Sequence, residues 1–181
     1  PGAEIFRVEG LIPKGGRAPI SFGLRAGELL GIAGLVGSGR TETMRAIFGA
    51  DPREAGHLFL HDREIEVRRP QDAVVHGISL LTEDRKRQGL ILDMPCYVNI
   101  TLTDLAQISA SGLLQHRTEV ADAERLIEDL AIKTPSVNKW VRYLSGGNQQ
   151  KVVLAKWLFR QPEVLIFDEP TRGIDVGAKF E

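Results

Sequence analysis

Gly34-Leu-Val-Gly-Ser-Gly-Arg-Thr41 fits the phosphate-binding pattern Gly-x-x-x-x-Gly-Lys-Ser/Thr at every fixed position but one, with Arg40 standing where the pattern has lysine. Upstream, Leu29-Leu-Gly-Ile-Ala33 is a short apolar run of the kind that makes a buried strand. Downstream, Met44, Ile47 and Phe48 recur at helical spacing. Strand, loop and helix thus come in the order such a loop requires. Its glycines let successive N–H groups turn toward one concavity, and the helix start adds a positive dipole end, so a polyphosphate can be held without side chains. Thr41 would offer its hydroxyl to a magnesium ion. Taken alone, the pattern equally describes a Gly-rich turn between a strand and a helix.

The 181 residues suffice for one domain with a real core and a smaller lobe. At 43% hydrophobic and 26% charged, with a formal net charge of -1, the composition is that of a soluble globular protein. Phosphate-backbone binding normally shows as a basic excess, so nucleic acid is not expected as the main partner. The one cysteine, Cys96, can form neither an internal disulfide nor a Cys-x-x-Cys site, and the four histidines have no metal-ligand spacing. No apolar run approaches the ~20 residues of a membrane span, and there is no signal-peptide pattern. A cytosolic unit is expected. Starting at Pro1-Gly2 and stopping at Glu181 inside an unfinished pattern, the sequence reads as a C-terminally truncated part of a longer polypeptide.

Glu4 to Glu9 and Pro19 to Leu24 predict two antiparallel strands around a turn at Pro13-Lys-Gly-Gly16. The loop helix should stop near Gly49. A hairpin is predicted at His57–His61 and Glu64–Val67, then a short helix from Pro70 to Gly77 and a strand over Ile78–Thr82. Glu83-Asp-Arg-Lys-Arg-Gln-Gly89 is a dense charged loop. Beyond it, Cys96 to Ala106 and Thr118 to Ile132 predict helices, the second with an apolar stripe of Val120, Ala123, Leu126, Ile127 and Leu130. The helix after Leu144-Ser-Gly-Gly-Asn-Gln-Gln-Lys-Val152 should face one way with Val152, Ala155, Leu158 and Phe159. Val164 to Asp168 should be a strand covered on both faces. The resulting division is residues 1–82 for β subdomain and P-loop core, 83–143 for charged loop and helical lobe, and 144–181 for the remainder. Trp140, Trp157 and Cys96 are expected to pack, and Arg85-Lys86-Arg87 reads first as a solvated loop.

Two carboxylates, Asp168 and Glu169, stand at the tip of the last strand, where ligands bind in open α/β sheets. In a phosphate-loop protein the first typically holds magnesium and the second is placed to polarise an attacking water. Ser145, Gly146 and Gly147 at a helix start present a hydroxyl and free N–H groups to an anion, although Ser145 alone is equally a plain N-cap.

Together these segments resemble an ATP-binding cassette, with a Walker A loop at Gly34–Thr41, a signature motif at Leu144–Gln150, a Walker B strand at Val164–Asp168 and a D-loop reaching Asp175. Thr82-Glu-Asp-Arg-Lys-Arg-Gln-Gly-Leu90, the signature run and Asp168-Glu-Pro-Thr-Arg-Gly-Ile-Asp-Val-Gly-Ala-Lys179 look more narrowly like the second cassette of bacterial ribose, galactose and xylose importers. The resemblance covers essentially the whole chain. It implies an α/β P-loop core with an antiparallel β subdomain and an inserted helical subdomain, and ATP and Mg2+ as ligands. Gly34, Gly37, Ser38, Gly39, Arg40 and Thr41 would contact phosphate, Thr41 and Asp168 would serve the metal, and Glu169 would be the base. Leu144, Ser145, Gly146, Gly147, Asn148 and Gln149 would reach the ATP of a companion cassette. Glu83 would face the membrane permease, behind which stands a periplasmic sugar-binding protein. The unit would then sit on the inner face of the cell membrane.

The sequence departs from the general cassette pattern at Arg40, at Glu83 in place of a magnesium-coordinating glutamine, and at Leu11 to Arg17, which lacks an aromatic for adenine. It also ends before a switch histidine. A planar guanidinium does not substitute freely for a compact ammonium near the β and γ phosphates. The expectation is a domain that lends Ser145-Gly146-Gly147 to its partner's site and hydrolyses weakly at its own. The alternatives are a regulatory module that holds ATP uncleaved, and a soluble cassette protein acting on nucleic acid or the ribosome. The charge balance and the Glu83–Gly89 segment weigh against the latter.

Overall fold

The computed structural model describes residues 2–35 and 37–170. In chain order these form β1 (Glu4–Pro13), β2 (Ile20–Arg25), α1 (Arg40–Ile47), β3 (Arg53–Leu60), β4 (Arg63–Ile65), α2 (Pro70–Val75) and β5 (Ile78–Leu81). After these come α3 (Cys96–Thr101), β6 (Ser109–Ala110), β7 (Leu113–Leu114), α4 (His116–Asp129), α5 (Gly146–Phe159) and β8 (Val164–Phe167). Two compact units result, one of residues 2–80 with Glu163–Asp168, the other of Leu81–Pro162 with residues 169 and 170.

In the first unit an antiparallel sheet runs in the order β2-β1-β3-β4. Phe6 and Val8 point inward at the two-residue period of a strand, and Leu11 follows after three. The extra residue is absorbed by a bulge at Glu9–Gly10, where Gly10 has φ 59° and both ladders of β1 shift register. Opposite it, Gly56 takes φ 107°, and a Cβ there would lie 2.3 Å from the Leu11 Cα, so only glycine fits. Met44, Ala46 and Ile47 of α1 join this core with Leu58 and Ile65. β5 is buried at every residue and pairs with β8.

The apolar run Leu29–Ala33 is not the expected strand. Residues 28–35 carry no regular structure, and Leu29 is 93% and Ile32 41% exposed. A strand exists only through its neighbours' hydrogen bonds, and among the described residues none pairs with this run. For the same reason β8 lacks the expected cover on both faces. Val164 is buried, but Leu165 and Ile166 are half-buried and Phe167 is exposed.

The second unit packs α3 and α4 on α5. α3 is one short helix rather than the expected Cys96–Ala106, and the chain then turns into a small hairpin, β6–β7, that periodicity did not reveal. Inside α4, Glu119 is buried and accepts from the Thr101 hydroxyl at 3.1 Å, while Ala123 and Leu126 of the predicted stripe are buried. Asn99 is also buried. Its carboxamide accepts from Ile91 N and donates to Ile91 O, Met94 O and Pro95 O, which fixes residues 91–95. The one-faced reading of α5 gives way to burial around most of the helix: Gln149, Val152, Val153, Ala155, Trp157 and Phe159 are all buried. Trp157 and Cys96 pack as expected, but Trp140 is 45% exposed.

Lys156 lies among these residues on α5. Its ammonium donates to Gly89 O at 2.6 Å and stands 4.9 Å from the Trp157 ring centre. Burial disfavours the charged form and lowers its pKa from 10.5 to about 8. The folded chain therefore binds fewer protons than the unfolded chain between these values, so stability rises as pH increases from 8 toward 10.5. At ~1.4 kcal/mol per pH unit the gain has a ceiling of ~3.5 kcal/mol. Urea unfolding across that range should show the gain in the native chain and its absence in Lys156→Met; parallel profiles would contradict it.

Candidate functional site

α1 is preceded by Gly37 and Gly39, with φ 79° and 86°, values that L side chains rarely adopt. Gly39 is the N-cap, with no side-chain cap of its own, and its carbonyl accepts both from Thr43 N at 2.9 Å and from the Thr43 hydroxyl at 2.7 Å. Ser38 N donates to Leu35 O at 3.0 Å, closing the turn. A Cβ on Gly34 would lie 2.4 Å from Ser38 Oγ and 3.5 Å from Arg40 Cδ, so the loop folds tightly on its first glycine and the Arg40 stem runs past it. Two glycines at positive φ directly before a helix are what a phosphate-holding loop needs.

The contact that joins loop to strand is Thr41 Oγ1, which donates to Asp168 Oδ1 at 3.1 Å across 127 residues of sequence. Asp168 is 5% exposed. Arg45, one turn further along α1, adds its positive charge nearby. It is held by Asp51 through two hydrogen bonds of 2.6 and 2.9 Å, which raise the guanidinium pKa and lower that of the carboxyl. A hydroxyl and a carboxylate, both hard oxygen donors, suit Mg2+, which takes one or two protein oxygens and completes its shell with phosphate and water. Among the described residues no three His, Cys, Asp or Glu side chains cluster as an all-protein metal cage. The donor set therefore fits Mg2+ brought in with a phosphate. Glu169 follows at once, exposed and with φ 45°.

The signature residues lie in the second unit. Ser145 caps α5 by accepting from Asn148 N at 3.4 Å and from Asn148 Nδ2 at 2.9 Å, so Gly146 and Gly147 form a helix start without side chains. Asn148 Oδ1 accepts from Lys133 N at 2.7 Å, and buried Gln149 donates to Val141 O at 3.1 Å. Leu144 and Asn148 are half-buried, and Ser145 is exposed. Glu83 is half-buried at the entrance to the charged segment, which is not a plain loop but a single π-helical turn over Arg85–Gly89 capped by Asp84. Periodicity over five residues could not have shown it. Asp175 lies outside the described residues.

Fold and site define a class: an α/β P-loop core, with its helical lobe inserted between two strands that pair. The chain belongs to the ABC transporter family, whose model matches residues 18–172. It is 53% identical over 176 residues to a putative ribose/galactose/methyl galactoside import ATP-binding protein of Burkholderia ambifaria, covering 97% of this chain and 34% of that one. Against the ribose import ATP-binding protein RbsA of Geobacillus kaustophilus the identity is 52% over 180 residues, with 99% and 36% covered. The chain thus spans about a third of the length of these relatives. Among solved structures, MJ1267, an ATP-binding cassette of an ABC transporter, superimposes with TM-score 0.79 at 20% identity over 98% of this chain and 74% of that one. A dimeric post-hydrolysis form of the cassette MJ0796, bound to ADP and Pi, gives 0.75 at 18% identity over 96% and 78%. These likenesses establish the cassette fold, and no described helix is long and apolar enough to cross a membrane.

Proposed function

We propose that this chain is the second nucleotide-binding cassette of an ATPase subunit that energises import of a monosaccharide. The observation that supports the reading is the Thr41–Asp168 hydrogen bond, which joins the helix start after Gly37 and Gly39 to the tip of the last strand. Identity above half to import ATP-binding proteins named for ribose and galactose supports the substrate class. On this reading the Gly34–Thr41 backbone binds the phosphates of ATP, with Ser38 and Arg40 beside them. Thr41 and Asp168 hold Mg2+, which when bound neutralises charge on the β and γ phosphates. Glu169 orients the attacking water.

Residues Leu144 to Gln149 serve a different ATP. The MJ0796 cassette is a dimer bound to ADP and Pi, which supports pairing with a companion cassette whose nucleotide meets Ser145, Gly146 and Gly147. Arg40 weakens this chain's own site, so its main service is to the partner's. The segment from Glu83 meets the permease on the cytoplasmic side of the membrane, with a periplasmic binding protein delivering the sugar. Arg40 also favours a second reading, a regulatory module in which ATP is held and not cleaved.

The deciding experiment loads with Mg-ATP proteoliposomes that hold the full-length subunit and its permease, and adds the sugar-binding protein outside. Uptake of radiolabelled ribose or galactose that requires ATP is the expected result. ATP hydrolysis with no sugar movement would overturn the import reading.

A further inference from the structure

We propose that Lys156 is a positioning residue that fastens the basic turn Arg85–Gly89 to the helix beginning at Ser145, so that movement at either end is carried to the other. The inference rests on the preceding reading, in which Ser145 meets nucleotide and the basic turn meets the permease. It adds the part that joins them.

The joint is built from three directions. The Lys156 ammonium donates to Gly89 O at 2.6 Å, at the last residue of the π-helical turn. Gly89 itself is pressed on the helix, since a Cβ there would sit 3.1 Å from Val153 Cγ2. From the other side the Thr103 hydroxyl donates to Lys156 O at 2.7 Å, and Arg160 donates to Thr103 O at 3.1 Å while pairing with Asp104. Two residues further on, Asn99 holds both backbone groups of Ile91, so the chain leaving the turn is pinned as well.

The rest is rod mechanics. Lys156 lies eleven residues from Ser145 on one α-helix, which at 1.5 Å per residue is ~16 Å of rigid lever. Burial around most of that helix leaves it no freedom to move apart from its neighbours. The same burial lowers the lysine pKa to about 8. A methionine would fill the volume without that cost, so the side chain's specific contribution is its donor on Gly89 O. Lys86 and Arg87, exposed on the turn, are then presented by the signature helix, whereas Arg85 is buried, at 8% exposed, and is not part of the expected solvated loop.

The test uses the full-length subunit carrying Lys156→Met or Lys156→Arg, alone and with its permease in proteoliposomes supplied with the sugar-binding protein. Lys156→Met should leave the ATPase of the permease-free subunit within about twofold of the native rate and lower sugar moved per ATP by about threefold or more. Lys156→Arg, which keeps a donor, should retain the coupling. A proportional fall of ATPase and transport, an unchanged ratio, or equal uncoupling by arginine would each overturn the proposal. If the native protein hydrolyses ATP but moves no sugar, the import reading fails separately. Lys156 is then judged by hydrogen exchange over residues 85–90, whose response to ATP should vanish in Lys156→Met; persistence overturns it.

Discussion

Ser145→Arg in the full-length subunit should lower steady-state ATP hydrolysis by ~100-fold or more, the scale seen when a preorganised donor to a developing anion is removed. Two effects must be separated. The Ser145 hydroxyl accepts from Asn148 N and Nδ2, so its loss also costs α5 its N-cap, worth ~1 kcal/mol. A folded domain several kcal/mol stable remains almost entirely folded after such a loss, so the cap alone cannot account for a hundredfold fall. Arginine adds bulk and a planar charged group where Gly146 and Gly147 leave the helix start open. Comparing kcat with the thermal midpoint separates the causes: Ser145→Ala should show the small stability loss, and Ser145→Arg the large catalytic one. Activity of Ser145→Arg within twofold of native would remove signature donation from the mechanism.

The backbone features of the candidate site could be read from sequence because their determinants are local. Gly37 and Gly39 need positive φ, Thr41 must follow them into a helix, and Ser145 must precede glycines at a helix start. Each is a matter of a few adjacent residues, and each is found. The Thr41–Asp168 bond spans 127 residues, yet strand-end carboxylates meet helix starts so regularly in α/β sheets that it was also within reach. What failed was non-local. Leu29–Ala33 has the composition of a buried strand, but composition cannot supply the neighbours that bury it. Around α5 the predicted stripe missed Val153 and Trp157, because a helix packed by α3, α4 and the basic turn is buried where periodicity expects solvent. Lys156 was invisible for the same reason. Nothing in Leu154-Ala-Lys-Trp157 says that the lysine turns inward, and only the meeting of Gly89 with α5 shows it.

Arg40→Lys should tighten Mg-ATP binding to this chain by ~10- to 100-fold, the worth of one good charge-assisted hydrogen bond of ~1.5–3 kcal/mol. Arg40 opens α1, and its Cδ lies 3.5 Å from the position a Gly34 Cβ would take, so its stem already follows the loop. The guanidinium is a rigid planar fork that demands its own geometry. A lysine on the same path ends in a compact ammonium whose three donors can turn to whichever phosphate oxygens the backbone cradle presents. Calorimetry on the two proteins side by side reads the difference directly. A large gain means that Arg40 has detuned a loop whose glycines and Thr41 are intact, leaving the Ser145 end of α5 as the chain's main service to catalysis. Micromolar binding by the native chain with no gain from lysine means that the guanidinium holds phosphate on its own terms. The cradle would then be a retained nucleotide site, and the regulatory reading would replace signature donation as the better account of Arg40.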